Sequence, residues 1–228
     1  ADSLGEAGFI GASDEGIAAG SAGNAVTVGG SGVRPDAADW HDGTAYVHAV
    51  DQYGQPMLYG FDMTGGAPAA AAVTADSICT EKLTGFGSGL IGLKAEPSPN
   101  GERMGLRLSI YSYSGVYTEE TYNIIGLDDN TSEENLKYLA SPAESDPRFI
   151  GVNEAGTLAA VPTVYFDGYS EVERIVVVKF DGNELVHTGE IILYDEKSSV
   201  INAVFHGDRL YVITDTKVIS ANAEDCTD

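Results

Sequence analysis

A motif that occurs twice constrains the fold of this chain more than any other feature. The stretches DAADWHDGTAYVHA (36–49) and INAVFHGDRLYVIT (201–214) share a small residue, an aromatic residue, a histidine, a polar turn and a tyrosine beside valine. Alternating apolar and polar positions on both sides of a turn are typical of two antiparallel strands in a hairpin. The motif therefore predicts that His41 and His206 occupy equivalent structural turns and do not form a metal site.

Further copies of this unit are spread along the chain. FIGASDEGIAAG (9–20) matches FIGVNEAGTLAAV (149–161), and TGFGSGLIGLKA (84–95) is a weaker copy. In each copy a polar, glycine-containing turn leads into a short apolar strand. These strands centre near Ile17, Ala45, Ile91, Leu158 and Leu210.

The segments that follow these strands also recur. In three units a third strand ends in an aromatic residue and a polar turn, and a fourth strand comes after it. The third strands are MLYGFDMTGG (57–66), LRLSIYSYSG (106–115) and RIVVVKFDGN (174–183), and the fourth lie at 69–75, 117–125 and 184–193. A four-strand unit repeated about every 40–50 residues is typical of propeller blades. We therefore predict an all-β fold: a single domain over residues 1–228, a β-propeller of about five four-stranded blades.

A sheet of four strands cannot bury both faces alone, so the blades are expected to stack. The last unit ends after its third strand, KVISANA (217–223), and NAVTVGG (24–30) is the candidate for the strand that closes the ring. The alternative is an open fragment of a larger propeller. One helix is predicted at NTSEENLKYLASP (130–142), with a capping box from Thr131 to Glu134 and Pro142 as its stop.

The charge of the chain limits its partners. Lys and Arg number 12 and Asp and Glu 35, so the net charge is −23. Nucleic acids and anionic membrane surfaces require a basic footprint, and both are therefore excluded. The sequence contains no apolar run near the ~18 residues of a membrane span, so no membrane insertion is predicted in this segment. Proteins and glycans are left as ligands, and the oligomeric state is left open.

Four stretches resemble a family of secreted bacterial proteins that carry a C-terminal β-propeller domain. They are MGLRLSIYSYSG (104–115), SDPRFIGVNEAGTLAAVP (145–162), VVKFDGNELVHTGEI (177–191) and INAVFHGDRLYVITDTKVIS (201–220). They follow the order of the family, and the resemblance extends over about residues 89–223. It implies a β-propeller in an extracellular or cell-envelope protein without assigned catalytic residues. Family members are usually longer, so the chain is also considered as a fragment of a longer protein.

The search for reactive groups yields no catalytic residue, no metal site and no cofactor. Carboxylates are abundant, but no pair stands in an apolar setting that would raise one pKa for glycosidic acid–base work. The acidic segment DDNTSEEN (128–135) has some features of a calcium loop but lacks the central glycine. Cys79 and Cys226 are the two cysteines, and a disulfide between them is one alternative.

The predicted binding residues lie in the loops between second and third strands. Tyr53, Tyr165 and Tyr169 supply aromatic surface there, and Asp167 supplies an acceptor. Aromatic side chains beside acceptors suit sugar or peptide binding. We therefore predict a non-catalytic binding or scaffold module, located extracellularly or at the cell envelope. The alternative is a carbohydrate-active enzyme that uses carboxylates at the mouth of the propeller channel.

Overall fold

The computed structural model describes residues 9–13, 15–21, 24–64, 69–74, 83–97, 100–101, 103–112, 115–120, 139–166, 169–193 and 199–227. Within these ranges the fold is all-β, and the helical segments are two 3₁₀ helices, Pro142–Glu144 and Pro147–Phe149. Both begin with proline, and the preceding Ser141 and Asp146 cap them through their side chains. No helix in this part of the chain has the length and apolarity that a membrane crossing needs.

The strands of the described residues form five separate sheets, and in each sheet strands that follow one another along the chain are neighbours. Sheet 1 contains β1 (Phe9–Ser13), β2 (Gly16–Ser21) and β3 (Asn24–Gly29). Sheet 2 contains β4 (Arg34–His41), β5 (Thr44–Val50), β6 (Pro56–Asp62) and β7 (Ala69–Thr74). Sheet 3 contains β8 (Thr84–Phe86), β9 (Gly89–Pro97), β10 (Arg103–Ser112) and β11 (Gly115–Glu120). Sheet 4 contains β12 (Gly151–Val152), β13 (Leu158–Phe166), β14 (Glu171–Phe180) and β15 (Leu185–Leu193). Sheet 5 contains β16 (Val200–His206), β17 (Arg209–Thr214) and β18 (Val218–Asn222).

The repeat predicted from the sequence is present in the sheets. Each of the five predicted apolar strands is the second strand of its sheet, namely β2, β5, β9, β13 and β17. The residues at their centres are all buried: Ile17, Ala45, Ile91, Leu158 and Leu210. The predicted third strands are β6, β10 and β14, and KVISANA (217–223) contains β18, the third strand of sheet 5.

The two copies of the histidine motif form equivalent hairpins. His41 lies opposite Thr44, and His206 lies opposite Arg209, so each histidine is the last residue before a two-residue turn. In the first turn Asp42 and Gly43 have positive φ angles of 46° and 74°. Such angles match the twist of the two flanking strands. A Cβ at Gly43 would lie 2.4 Å from Cγ2 of Thr64, so this position requires glycine. The interpretation of both histidines as turn residues is confirmed.

The chain divides into two compact units, each described here by itself. Unit 1 consists of Ala1–Glu81, Ser88–Leu90 and Tyr111–Val116, and unit 2 of Lys82–Gly87, Ile91–Ile110 and Tyr117–Asp228. The organisation of residues 1–228 as one domain stays a prediction. Unit 1 has an apolar core between sheets 1 and 2. Its buried members are Ile17, Ala19, Val33, Ala45, Val47, Ala49, Tyr59 and Phe61.

Sheet 4, in unit 2, buries both of its faces, as predicted for a stacked sheet. Successive residues of a strand point to opposite faces. One face packs against Leu106, Leu108 and Ile110 of β10, and the other against Leu210 and Val212 of β17. The first face carries Ala159, Val161, Val176 and Val178, and the second Leu158, Ala160, Ile175 and Val177. Full burial of a Val, Leu or Ile side chain contributes about 1.5–3 kcal/mol, so these two interfaces stabilise unit 2 strongly.

The backbones of the first strands in sheets 4 and 5 also approach closely. A Cβ at Gly151 of β12 would lie 2.4 Å from the carbonyl oxygen of Ala203 in β16. The neighbouring Ala160 is fully buried. Small residues are therefore required at this interface.

One predicted segment and the predicted number of strands in each sheet need correction. NAVTVGG (24–30) was the candidate closing strand, but it forms β3, which pairs with β2 from Gly16↔Gly29 to Ser21↔Asn24. Only two residues separate Ser21 from Asn24, so pairing with the preceding strand is the local and less costly choice. Four strands are found in sheets 2, 3 and 4, whereas sheets 1 and 5 have three each among the described residues.

The predicted helix at 130–142 lies outside the described residues up to position 138. Of the remainder, Ala140 forms a β-bridge with Val164, and Pro142 begins a 3₁₀ helix and does not end a longer one. The acidic segment 128–135 and Cys79 also lie outside the described residues. Cys226 is a free cysteine, and burial raises the pKa of its thiol to about 11.

Candidate functional site

The predicted binding residues lie in two different loops. Tyr53 lies in the turn between β5 and β6 of unit 1, and its side chain is 79% exposed. The Asp51 side chain builds this turn, because Oδ1 accepts hydrogen bonds from the backbone N–H groups of Tyr53 and Gln55, both at 2.8 Å. This local hydrogen bonding presents Tyr53 to solvent.

The other predicted residues belong to the β13–β14 hairpin of sheet 4. Tyr169, between the two strands, is 96% exposed. Tyr165, near the end of β13, is half-buried and packs against the core between sheets 3 and 4. Asp167 lies outside the described residues. The structure thus places Tyr165 and Tyr169 at the same end of one hairpin.

The Tyr165 ring contacts a residue that the sequence analysis missed. The guanidinium carbon of Arg174, on β14, lies 4.1 Å from the centre of this ring, within the range of a cation–π interaction. The Arg174 side chain is only 2% exposed, and its Nη1 donates a hydrogen bond of 2.9 Å to Oε2 of Glu190 on β15. Burial lowers the pKa of Arg174, and the Glu190 carboxylate opposes that shift. Arginine nevertheless stays protonated in proteins.

Strand register explains why these side chains meet. Thr163 lies directly opposite Arg174, and Tyr165 lies opposite Val172, so all three polar or aromatic groups share one face. Glu190 lies opposite Val176, which places it diagonally across from Arg174 on the other neighbouring strand. The register therefore brings a ring and a carboxylate into contact with one guanidinium and places a hydroxyl on the same face of the sheet.

Several donors in this group have no partner among the described residues. Nε and Nη2 of Arg174 are buried without a hydrogen bond, and so is Oγ1 of Thr163. A buried polar group without a partner costs about 1–3 kcal/mol, so protein structures contain few of them. Nε and Nη2 form one edge of the guanidinium, the edge that can donate two parallel hydrogen bonds to a pair of acceptor oxygens. The guanidinium thus keeps a donor edge that matches such a pair of oxygens.

A short segment holds the neighbouring wall of the site in place. Ala140 and Val164 exchange backbone hydrogen bonds of 2.9 and 2.8 Å, and Oγ of Ser141 donates one of 2.6 Å to the carbonyl oxygen of Pro162. Arg103 fixes the segment from β10: its Nε donates to the Leu139 carbonyl oxygen at 2.5 Å and its Nη2 to Oε1 of Glu144 at 2.6 Å. These hydrogen bonds thus fix the position of the end of β13 next to Thr163.

The sequence does carry a signal for Arg174. In EVERIVVVKF (171–180) it alternates with Val172 and Val176, both of which are buried. A charged residue at an inward position of a strand is unusual and indicates either an ion pair or a site. The identity of its partners depends on the register, which includes an irregularity at Val177/Val178.

The opposite end of the sheet 4–sheet 5 pair has a cleft of about 400 Å³. It is lined by Asn153, Glu154, Ala155, Phe205, His206 and Gly207. Asn153 serves its own turn, because its Oδ1 accepts hydrogen bonds from the N–H groups of Thr157 and Leu158, both at 2.8 Å. In the described part of the chain, no group of three or more His, Cys, Asp or Glu residues could hold a metal ion.

Among the described residues, the pKa values of three carboxyl groups, Asp62, Asp181 and Asp225, are lowered by hydrogen bonds within their own turns. A general acid in glycoside hydrolysis needs a raised pKa, which is the opposite direction. These three groups therefore serve their turns.

Comparisons with known proteins identify no family. No protein-family model matches the chain, and no curated protein matches it in sequence. A crystal structure of puromycin hydrolase is similar, with a TM-score of 0.35 and 11% sequence identity, over 98% of this chain and 38% of that one. The chain thus spans well under half of the length of that structure.

Proposed function

We propose that this chain is a non-catalytic binding module that holds a protein or glycan ligand at the β13–β14 end of sheet 4. The observation that carries the proposal is the group of Arg174, Tyr165, Thr163 and Glu190, in which a buried guanidinium keeps one donor edge without a partner. The exposed ring of Tyr169 lies at the tip of the same hairpin and adds aromatic surface. Aromatic rings with a polar handle are enriched at binding surfaces.

We further propose that the five sheets are blades of a β-propeller. The stacking of sheet 4 between two other sheets supports this, because blades bury their faces against neighbouring blades. The number of blades and the closure of the ring belong to the same proposal. The resemblance over residues 89–223 to secreted bacterial propeller proteins supports a location outside the cell or at its envelope.

A binding screen with two matched variants tests the function. Immobilised protein is presented with a panel of oligosaccharides and a peptide library, and each hit is then measured by calorimetry. Tyr169→Ala is expected to weaken binding about fivefold, since an aromatic contact contributes about 1 kcal/mol. Tyr53→Ala removes the other predicted binding tyrosine, which is 79% exposed in a different loop in unit 1, and a site confined to the β13–β14 hairpin leaves the affinity unchanged in this variant. Equal effects of both substitutions, or no binding to either panel, would refute a site on this hairpin.

The same panel distinguishes the module from an enzyme. A non-catalytic module leaves every bound oligosaccharide and peptide intact over a long incubation. Release of shorter products, detected by mass spectrometry, would contradict the proposal and favour the carbohydrate-active alternative. In that event a pair of carboxyl groups about 5–10 Å apart should be sought by substitution.

A further inference from the structure

The donor edge of Arg174 belongs to a group that is already electrically balanced. Nη1 of Arg174 contacts the Glu190 carboxylate at 2.9 Å, so the charge of the buried guanidinium is compensated within the site. The whole chain carries a net charge of −23. An anionic ligand would add a second negative charge to this pair and would approach a strongly negative protein. The electrostatics therefore favour a neutral ligand that offers acceptor oxygens.

The remaining groups define the chemistry of that ligand further. Nε and Nη2 of Arg174 donate in parallel, so they fit a pair of acceptor oxygens that lie close together in the ligand, such as those of two adjacent hydroxyl groups. Oγ1 of Thr163 can both donate and accept, and the Glu190 carboxylate accepts only. A ligand that pairs with all of them must both accept and donate. A hydroxyl group does both at a single oxygen, whereas a peptide divides the two roles between its carbonyl oxygen and its N–H.

We propose that Arg174, Thr163 and Glu190 recognise the vicinal hydroxyl groups of a neutral sugar unit, with the Tyr165 ring against its apolar face. This inference rests on the proposed function and assigns its ligand class. The Arg174 edge donates to two adjacent hydroxyl oxygens, and one of these hydroxyls donates to Glu190. Thr163 lies directly opposite Arg174 and completes the hydrogen-bonding set.

Entry of the sugar requires a movement of the Tyr165 side chain. The unpaired nitrogen atoms of Arg174 are buried, and the Tyr165 ring lies over the guanidinium while it is itself only half-buried. In the proposed complex this ring has rotated toward solvent and no longer covers the guanidinium. The exposed Tyr169 at the tip of the hairpin offers a second apolar surface to an extended oligosaccharide.

The test uses the whole chain and defined saccharide probes. Hexasaccharides of glucose, mannose, galactose and xylose form the neutral arm, oligogalacturonate forms the anionic arm, and acidic peptides form a third arm. Arg174→Met keeps the length of the side chain and removes the donors, and Thr163→Val replaces the hydroxyl by a methyl group. Arg148→Gln is the matched control, because it removes an arginine whose side chain is 86% exposed.

The expected result is binding in the neutral arm. Arg174→Met should weaken it about 10- to 30-fold and Thr163→Val about fivefold, since each lost hydrogen bond contributes about 1 kcal/mol. Arg148→Gln should bind as the wild type does. Circular dichroism and the unfolding midpoint establish that each variant is folded, and Thr163→Val, as an isosteric change, keeps the test decisive if Arg174→Met does not fold.

Each other outcome overturns the inference in a distinct way. Neutral binding that both site variants retain would preserve the proposed function and refute this ligand contact. Binding only to oligogalacturonate or to acidic peptides, lost in Arg174→Met, would show that the guanidinium recognises a carboxylate. Failure of all three arms with wild-type protein would refute the proposed function itself.

Discussion

Arg103 and Arg174 lie in the same unit and use the same donor edge differently. Nε and Nη2 of Arg103 donate to the Leu139 carbonyl oxygen and to Glu144, so that edge is satisfied by the protein itself. Nε and Nη2 of Arg174 have no partner within the described residues, although Arg174 is 2% exposed and Arg103 is 27% exposed. The more deeply buried arginine is therefore the one with fewer hydrogen bonds.

This difference indicates that Arg103 has a structural role and that Arg174 is a candidate for ligand recognition. Folding favours satisfaction of every buried donor, because an unpaired one costs about 1–3 kcal/mol. Arg103 follows this rule and fixes the segment of residues 139–144 to β10. Arg174 departs from it, and such departures concentrate where a protein meets a ligand.

The largest effect is expected from removal of the charge partner of Arg174. Glu190→Gln leaves a guanidinium that is 2% exposed without a compensating charge, and we expect the free energy of unfolding to fall by about 3 kcal/mol. Glu144→Gln should cost about 1–2 kcal/mol, since Arg103 is partly hydrated and keeps the Leu139 carbonyl oxygen. Urea unfolding of both variants measures the difference. A larger loss of unfolding free energy for Glu144→Gln than for Glu190→Gln would contradict the proposed difference between Arg103 and Arg174.

Replacement of the arginines themselves should give the opposite order of stability losses: loss of Arg103 should destabilise the protein more than loss of Arg174. Arg103→Met removes two hydrogen bonds that fix a buried segment, and we expect a loss of about 2 kcal/mol. Arg174→Met removes two unpaired donors, and the 26% exposed Glu190 can take up water, so stability should stay within about 1 kcal/mol of the wild type. Thermal and urea unfolding report both values. A loss at Arg174 equal to that at Arg103 would show that Arg174 serves stability.

The sequence predicted the sheets much better than it predicted this site. Turn chemistry and alternation are local, so they located the second strand of every sheet and the hairpin turns at Asp42–Gly43 and Gly207–Asp208. The partner of an edge strand is not local, and for that reason NAVTVGG (24–30) was assigned to the wrong sheet. The short link from Ser21 to Asn24 was the signal that favoured β2.

The predicted binding residues likewise show that local sequence signals do not predict contacts between distant parts of the chain. Tyr53 and Tyr169 were recognised as loop residues, and both are exposed. Whether a loop tyrosine lies near a buried charged group depends on which side chains the strand register brings together. Arg174 belongs to the β13–β14 hairpin, which carries Tyr169, and not to the turn that carries Tyr53. The inward position of Arg174 could be read from alternation with Val172 and Val176. Its pairing with Glu190 could not, because a register shift at Val177/Val178 decides which residues of β15 face it.

The smallest effect concerns two hydroxyl groups at the wall of the site. Oγ of Ser141 donates to the Pro162 carbonyl oxygen at 2.6 Å and accepts from the Ala143 N–H at 3.1 Å, whereas Oγ1 of Thr163 has no partner among the described residues. Ser141→Ala should therefore lower the free energy of unfolding by about 1–2 kcal/mol, and Thr163→Val should leave it equal or slightly higher.

Urea unfolding of the two variants side by side, each scaled to its own m-value, resolves a difference of this size. Both substitutions remove one hydroxyl from buried positions in the same unit, so loss of polarity alone predicts the same change for each. A destabilised Thr163→Val variant would mean that its hydroxyl is hydrogen-bonded in the folded protein without a ligand. Thr163 would then have no unpaired group to offer a ligand, and the recognition set around Arg174 would lose one of its members.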